Sequence, residues 1–137
     1  MAASTDARLV DALGQATLTI SAVLTSVAAE HDLSLTQLRV FGILRDRTLR
    51  MADLADYLGL ERSTLSGLID RAEKRGIVHR TRSREDGRAI EVTLSDAGRA
   101  LAREAESAFA DALDPLVARL SPADRGELAT LLERMLA

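Results

Sequence analysis

The chain has 137 residues, 47% of them hydrophobic and 28% charged, with a formal net charge of −3; such a composition builds a folded domain with a core, not a disordered tail. Cysteine is absent, which excludes disulfides, thiolate zinc sites and thiol-based peroxide sensing. Phe41, Tyr57 and Phe109 are the only aromatic residues, too few for a platform that stacks unpaired bases, so of the nucleic acids only a duplex fits.

The charge is unevenly spread. Residues 38–88 hold twelve Arg or Lys against eight Asp or Glu, a net of +4, and the remainder holds six against thirteen, a net of −7. Seventeen of the eighteen cations are arginine, Lys74 being the exception, and Arg71, Lys74, Arg75, Arg80, Arg82, Arg84 and Arg88 crowd one short stretch. Glu73, Glu85 and Asp86 are interleaved with them, so a solvated, salt-bridged face is the plainer alternative to a basic binding surface.

In chain order, residues 12–29 carry no charge. Gly14, Gln15, Thr17, Thr19, Ser21, Thr25 and Ser26 make them too polar for the roughly 20 mostly apolar residues of a spanning helix. Asp6, Arg8 and Asp11 lack the positive character of a secretory leader, and the expectation is a cytoplasmic protein away from membranes. Leu9, Leu13, Ala16, Ile20, Val23, Leu24 and Val27 recur at three and four residues, a helical seam. An uncharged helix with such a seam is expected to be buried on more than one side, the covering surface coming from a second copy. Ser34-Leu35-Thr36-Gln37 has the spacing of a capping box and opens a second helix through Leu38, Phe41 and Leu44. A third helix is expected over residues 52–58, with Met51 a poor N-cap and Gly59 a natural stop in the left-handed conformation. After a tight turn, residues 61–75 read as a fourth helix with Leu65, Leu68, Ile69 and Ala72 on one face, ending at Gly76. Two short helices joined by a glycine-containing turn form a helix-turn-helix unit.

The period then changes to two. Residues 77–82 and 89–94 read as strands, Ile90, Val92 and Leu94 alternating with Glu91 and Thr93, and Asp86-Gly87 between them favours a hairpin. Arg84-Glu85-Asp86-Gly87-Arg88 places at the tip an arginine, Arg88, that Asp86 can orient toward a phosphate backbone or a narrow minor groove. Ser95 is expected to cap a long helix through Leu101, Ala105, Ala108, Phe109 and Leu113, ended or kinked at Pro115. Ser121-Pro122-Ala123-Asp124 starts a last helix with Leu128, Leu131, Leu132 and Met135 as its apolar stripe. The fold class is mainly α with a small β-hairpin wing. Catalysis lacks a constellation: Glu30-His31-Asp32 are neighbours that project in different directions, His79 stands among arginines, and phosphate loops, nucleophile elbows and metal spacings are missing. A non-enzyme with no metal and no cofactor is expected.

Three segments carry a family resemblance: Leu54-Ala55-Asp56-Tyr57-Leu58-Gly59-Leu60-Glu61-Arg62-Ser63-Thr64-Leu65-Ser66, then Ile69-Asp70-Arg71-Ala72-Glu73-Lys74-Arg75-Gly76-Ile77-Val78, then Asp86-Gly87-Arg88 through Thr93-Leu94-Ser95. Together they closely resemble the MarR family of winged helix-turn-helix transcription regulators, with an Asp-x-Arg wing following the Glu-x-x-Gly-Ile-Val helix end at the family's spacing. The resemblance spans nearly the whole chain. It implies one MarR-type domain over residues 1–137, in which residues 34–95 form the winged helix-turn-helix DNA-binding lobe and residues 1–33 and 96–137 a helical dimerisation region. It also implies a homodimeric repressor on a pseudo-palindromic duplex operator. Many members are released by small, often aromatic, anionic ligands; here Thr17, Ser21, Thr25, Arg39 and Phe41 fall in the helices that line such a pocket, and none is taken as a site.

Within that picture the fourth helix would lie in the major groove. DNA-contact candidates are Arg62, Ser63, Thr64 and Ser66 near its N-terminus, Arg71 and Arg75 for phosphates one turn apart, and Arg84, Asp86 and Arg88 on the wing. Arg62 is the candidate base reader, and Ser63 has a second reading as a helix-start residue. Two residues depart from the family's pattern: Gly67, where relatives often carry a long polar or basic side chain, and Ala72, where leucine is usual. Operator sequence and affinity stay open on that account. The alternative reading is a winged-helix protein-interaction module without specific DNA binding. The +4 middle and the arginine wing favour DNA, because counterion release needs cations on the contacting face.

Overall fold

The computed structural model describes residues 4–137. Its elements in chain order are α1 (Thr5–Glu30), α2 (Leu35–Leu44), β1 (Leu49–Arg50), α3 (Met51–Leu58), α4 (Arg62–Lys74), β2 (Val78–Arg82), β3 (Ile90–Leu94), α5 (Asp96–Val117) and α6 (Pro122–Leu136). Serine side chains start four of these helices: Ser4, Ser34, Ser95 and Ser121 each accept a backbone N–H three residues on, at the heads of α1, α2, α5 and α6. At Ser34 the capping box is complete, Gln37 Oε1 accepting from the Ser34 amide at 2.9 Å. Gly59 ends α3 in the left-handed region at φ 64°, and Gly76 follows α4 at φ 75°.

The core lies in the lobe made by α2, α3, α4 and the sheet. Phe41 and Leu44, Leu54 and Leu58, Leu65 and Ile69, and Val78, Val92 and Leu94 bury together, with Ala28 of α1 and Ala102 of α5 closing the cluster. Truncating one of the larger members to alanine costs about 2–5 kcal/mol in such a setting. The sheet is antiparallel in the order β1-β3-β2. Strand β1, unexpected from the sequence, has two residues, Leu49 opposite Val92 and Arg50 opposite Glu91; too short to show a period, it exists because β3 offers it an edge. In the hairpin Val78 faces Leu94, Arg80 faces Val92 and Arg82 faces Ile90. Directly opposed residues share a face, which puts Arg80 on the side that meets the lobe. The Asp86-Gly87 pair does not make the two-residue turn it favours, since Gly87 is not at positive φ. The strands instead close through a broader loop, with Ser83 N–H donating to the Ala89 carbonyl at 2.9 Å and Ala89 N–H to that of Asp86 at 3.0 Å.

Two further expectations change. Helix α5 does not end at Pro115 but runs on to Val117, the proline lying only two residues before the helix end. Of α1 only Val27 and Ala28 are buried and α6 buries none of its residues, so within one chain the seam of α1 stays open to the second copy expected to cover it. By length and composition alone α1 is also apolar enough to cross a membrane, since its hydroxyl residues lower the average less than the absence of charge raises it.

One close approach joins the lobe to α5. Ser95 N–H donates to the Ile77 carbonyl at 3.1 Å, and Ser95 Oγ donates to the Gly76 carbonyl at 2.6 Å and accepts from Gly98 N–H at 3.0 Å. A Cβ on Gly98 would lie 2.0 Å from the Ile77 carbonyl oxygen, a backbone atom that cannot step aside. Gly98→Ala should therefore cost about 2–3 kcal/mol in urea denaturation, whereas Gly126→Ala, with nothing within 4 Å of the added methyl, should gain up to about 1 kcal/mol. Equal stabilities for the two variants would contradict the close approach.

Candidate nucleic-acid interface

The exposed face of α4 follows from its buried one. Leu65, Leu68, Ile69 and Ala72 are buried, and at about 3.6 residues per turn the opposite stripe is Ser63, Gly67, Asp70 and Lys74. At the head of the helix the N-cap position is Glu61, and no side chain caps it; α3 likewise starts at Arg50 without a side-chain cap. Ser63 is therefore the second helical residue and not a cap. The two helices of the helix-turn-helix unit thus keep free the orphan amides that serines satisfy elsewhere, and such an end attracts anions. Arg62, Ser63 and Thr64 are all exposed there.

Between α4 and the wing lies a cleft of about 530 Å³, lined by Arg50, Arg62, Ser66, Asp70, Arg80 and Arg88 among others. Arg50 and Arg80 were not among the sequence candidates. Arg80 was detectable as a cation at an inward position of a period-two strand; Arg50 gave no comparable signal, because its place depends on β1. The Arg80 guanidinium pairs with Asp70, donates to the Ser66 carbonyl at 3.0 Å and Ser66 Oγ at 3.5 Å, and lies 3.5 Å from Glu73 Oε1. Its amide adds a bond to Glu73 Oε2 at 3.1 Å. Arg80 thereby fastens the wing to α4, and Ser66 is engaged by that clamp.

The remaining arginines are left uncovered. Among the described residues Arg50, Arg62, Arg71, Arg82, Arg84 and Arg88 form no ion pair within 4.0 Å, so the interleaved Glu85 and Asp86 do not neutralise the wing. Asp86 Oδ1 accepts from the Arg88 backbone N–H at 3.1 Å, and the Asp86 amide donates to Ser83 Oγ at 3.3 Å. The carboxylate shapes the loop and leaves the guanidinium free, which corrects the expectation that it orients the side chain. Arg84 and Arg88 are exposed. Arg75 Nη1 donates to the Asp32 carbonyl at 2.9 Å, tying the end of α4 to the turn after α1.

A second, smaller cavity of about 180 Å³ lies between α1, α2 and α5, with Leu24, Leu38, Phe41, Ala102, Ala105 and Phe109 on its walls. Arg45 and Glu106 stand at its rim, 2.9 Å apart, and Arg45 also meets Asp46 at 3.0 Å. The Asp46 and Glu106 carboxylates hold the Arg45 pKa above its ordinary value. Of the residues the sequence placed in this region only Phe41 lines it; Thr17 and Thr25 donate to the carbonyls of Leu13 and Ser21 in their own helix, and Arg39 is exposed. His31 Nδ1 lies 2.8 Å from the Val27 carbonyl at the end of α1, and no group of three metal-ligating side chains occurs among the described residues.

Comparison with known proteins agrees with this geometry. A sequence model described as MarR family matches residues 31–89. The uncharacterized HTH-type transcriptional regulator YfiV of Bacillus subtilis is 39% identical over 66 residues, 47% of this chain and 41% of that protein. The chain spans about half the length of the curated relatives it matches in this way. Among solved structures, wild-type MarR from E. coli in its apo form superposes with a TM-score of 0.79 at 21% identity, covering 100% of both chains. The transcriptional repressor CouR bound to a 23-mer DNA duplex gives 0.75 at 28% identity, covering 92% of this chain and 90% of that one.

The clamp can be tested by itself. Arg80→Met keeps the aliphatic stem and removes the fork; with Asp70 and Glu73 both partly in solvent the loss should be about 1 kcal/mol, with faster amide exchange in β2. Arg82→Met, an exposed neighbour on the same strand, should change stability by less than about 0.5 kcal/mol. Identical exchange in the two variants would remove the clamp.

Proposed function

We propose that this chain, which belongs to the MarR family of winged helix-turn-helix transcription regulators, is a sequence-specific double-stranded DNA-binding regulator and not an enzyme, acting as a homodimeric repressor on a pseudo-palindromic operator. The observation that carries this is the uncapped head of α4, with Arg62, Ser63 and Thr64 exposed around it, next to a cleft whose Arg50, Arg62 and Arg88 have no carboxylate partner. Helix α4 enters the major groove. Arg62 reads a base edge, and Ser63 and Thr64 donate to phosphates at the helix head. Ser66, held by Arg80, sets the depth of the cleft. Arg75 has one guanidinium N–H engaged by Asp32 and others left for phosphate, while Arg71 lies on the open flank of α4. Arg84 and Arg88 carry the wing to the neighbouring backbone or minor groove, on a loop whose shape Asp86 sets. The structure of CouR bound to a 23-mer DNA duplex supports the mode.

The dimer is supported by apolar surface that one chain leaves open. Leu9, Val10 and Leu18 of α1, Leu116 and Val117 of α5, and Leu128, Leu131, Met135 and Leu136 of α6 are exposed, more than a monomer normally shows. These faces fall in residues 1–33 and 96–137, the dimerisation region of the proposed single domain. A two-fold partner covers α1 there, which gives its uncharged length a place other than a bilayer and supports the reading of a cytoplasmic protein. Symmetry then sets the two α4 helices about one DNA turn apart. The cavity beside Arg45 is sized for a small effector, one that binds the two states of the dimer unequally and so shifts their populations.

Fluorescence anisotropy against duplex from the gene's own upstream region and a scrambled duplex, at two salt concentrations, tests the reading. Upstream duplex should bind more tightly, and Arg88→Ala should weaken binding to all sequences and lower the salt slope by about one. Equal, weak and salt-insensitive binding to both duplexes would overturn it in favour of a protein-interaction module.

A further inference from the structure

Gly67 leaves the middle of the groove-facing stripe of α4 without a side chain. In a helix the Cα–Cβ bonds tilt toward the N-terminus and long side chains lie back over the preceding turn, so an arginine four residues on can cover such a gap. Arg71 does so: its Nη1 lies 3.6 Å from the position a Cβ on Gly67 would take, and it is the only neighbouring atom within 4 Å. Nothing else holds that guanidinium, since Arg71 has no ion pair or side-chain hydrogen bond among the described residues. The other arginines of this helix are placed elsewhere: Arg62 lines the wing cleft, and Arg75, at its C-cap, is tied to Asp32.

Resting on the DNA-binding reading above, we infer that Gly67 and Arg71 act as one specificity-determining unit, in which the glycine yields its space and Arg71 supplies a base-reading fork to the centre of the groove. The sequence alone assigned Arg71 to a phosphate. A planar guanidinium over the outward stripe is suited to the O6 and N7 of a guanine, a two-point contact that a lysine ammonium cannot reproduce. The same 3.6 Å spacing couples the two positions: a methyl at residue 67 would be in ordinary contact with Arg71, and a longer side chain would push the fork off the stripe.

The test is selection of a duplex library randomised over about 20 base pairs with the full chain, as wild type, Arg71→Lys and Gly67→Gln, followed by anisotropy on the enriched duplex and its single-base variants at two salt concentrations. Both variants carry their change on the solvent side of α4, and thermal melts check that they fold. Wild type should enrich half-sites with a guanine at one fixed position. Arg71→Lys should lose roughly ten- to a hundredfold discrimination at that position with the salt slope unchanged, because the charge remains. Gly67→Gln should alter the preferred base at the same position. Unaltered discrimination in Arg71→Lys at every position would overturn the inference while leaving the regulator reading in place. A wild type that enriches no sequence would remove the regulator reading, and this inference with it.

Discussion

Ser95 makes three hydrogen bonds that meet at one point of the fold, to the Gly76 carbonyl, the Ile77 carbonyl and the Gly98 amide. Through them the end of α4, the start of β2, the end of β3 and the first turn of α5 are held by one residue, and the missing side chain of Gly98 lets the backbones touch. The orientation of α4 is therefore inherited from α5. Arg80 extends the same rigidity outward by fastening β2 to α4 through Ser66, Asp70 and Glu73. Helix α4 and the wing present a single surface, and neither can be reoriented without breaking a charge-assisted bond or opening the junction.

Helix ends divide the molecule by task. Serines satisfy the first amides of α1, α2, α5 and α6, while α3 and α4 start without a side-chain cap. A missing cap costs about 1 kcal/mol of helix stability, and here the cost falls where an external anion can offset it. The chain as a whole is acidic at −3, yet Arg62 at the head of α4 and Arg82, Arg84 and Arg88 of the wing stand without carboxylate partners among the described residues, while Arg80 of β2 is paired into the clamp. Net charge understates such a surface, because only cations on the contacting face release counterions.

Much of this was legible in the sequence where the signal is local. Capping serines, the stops at Gly59 and Gly76 and the buried stripe of Leu65, Leu68, Ile69 and Ala72 each depend on residues close in the chain, and each is found in the fold; the alternation expected of Ile90, Val92 and Leu94 holds at Val92 and Leu94, while Ile90, at the loop end of β3, is exposed. What was not legible depends on partners distant in sequence. Strand β1 needs β3 beside it; Arg50 enters the cleft through that pairing; Arg80 finds its acids across ten and seven residues. Asp86 and Arg88 were correctly associated, but spacing cannot tell a bond to the amide from one to the guanidinium, and the structure chooses the amide. Arg71 shows the same limit, since a stretch of sequence gives a charge and a helical phase, whereas the place of its Nη1 beside Gly67 depends on the side-chain conformation in the folded helix.

The proposed dimer also bears on why the chain folds as it does. Helix α6 has 15 residues and buries none of them within one chain, and an isolated helix of that length is marginal in water. Its Leu128, Leu131 and Met135 supply a stripe that has energetic value only when covered. The same holds for the first half of α1, where Leu9 and Leu18 are exposed. The core from Phe41 to Leu94 is closed by Ala28 of α1 and Ala102 of α5, so those two helices are tied to the lobe within one chain, whereas the apolar stripe of α6 is left for the proposed partner to cover. In the proposed dimer, partner contacts on α6 and the end of α5 would reach α4 through the Ser95 junction.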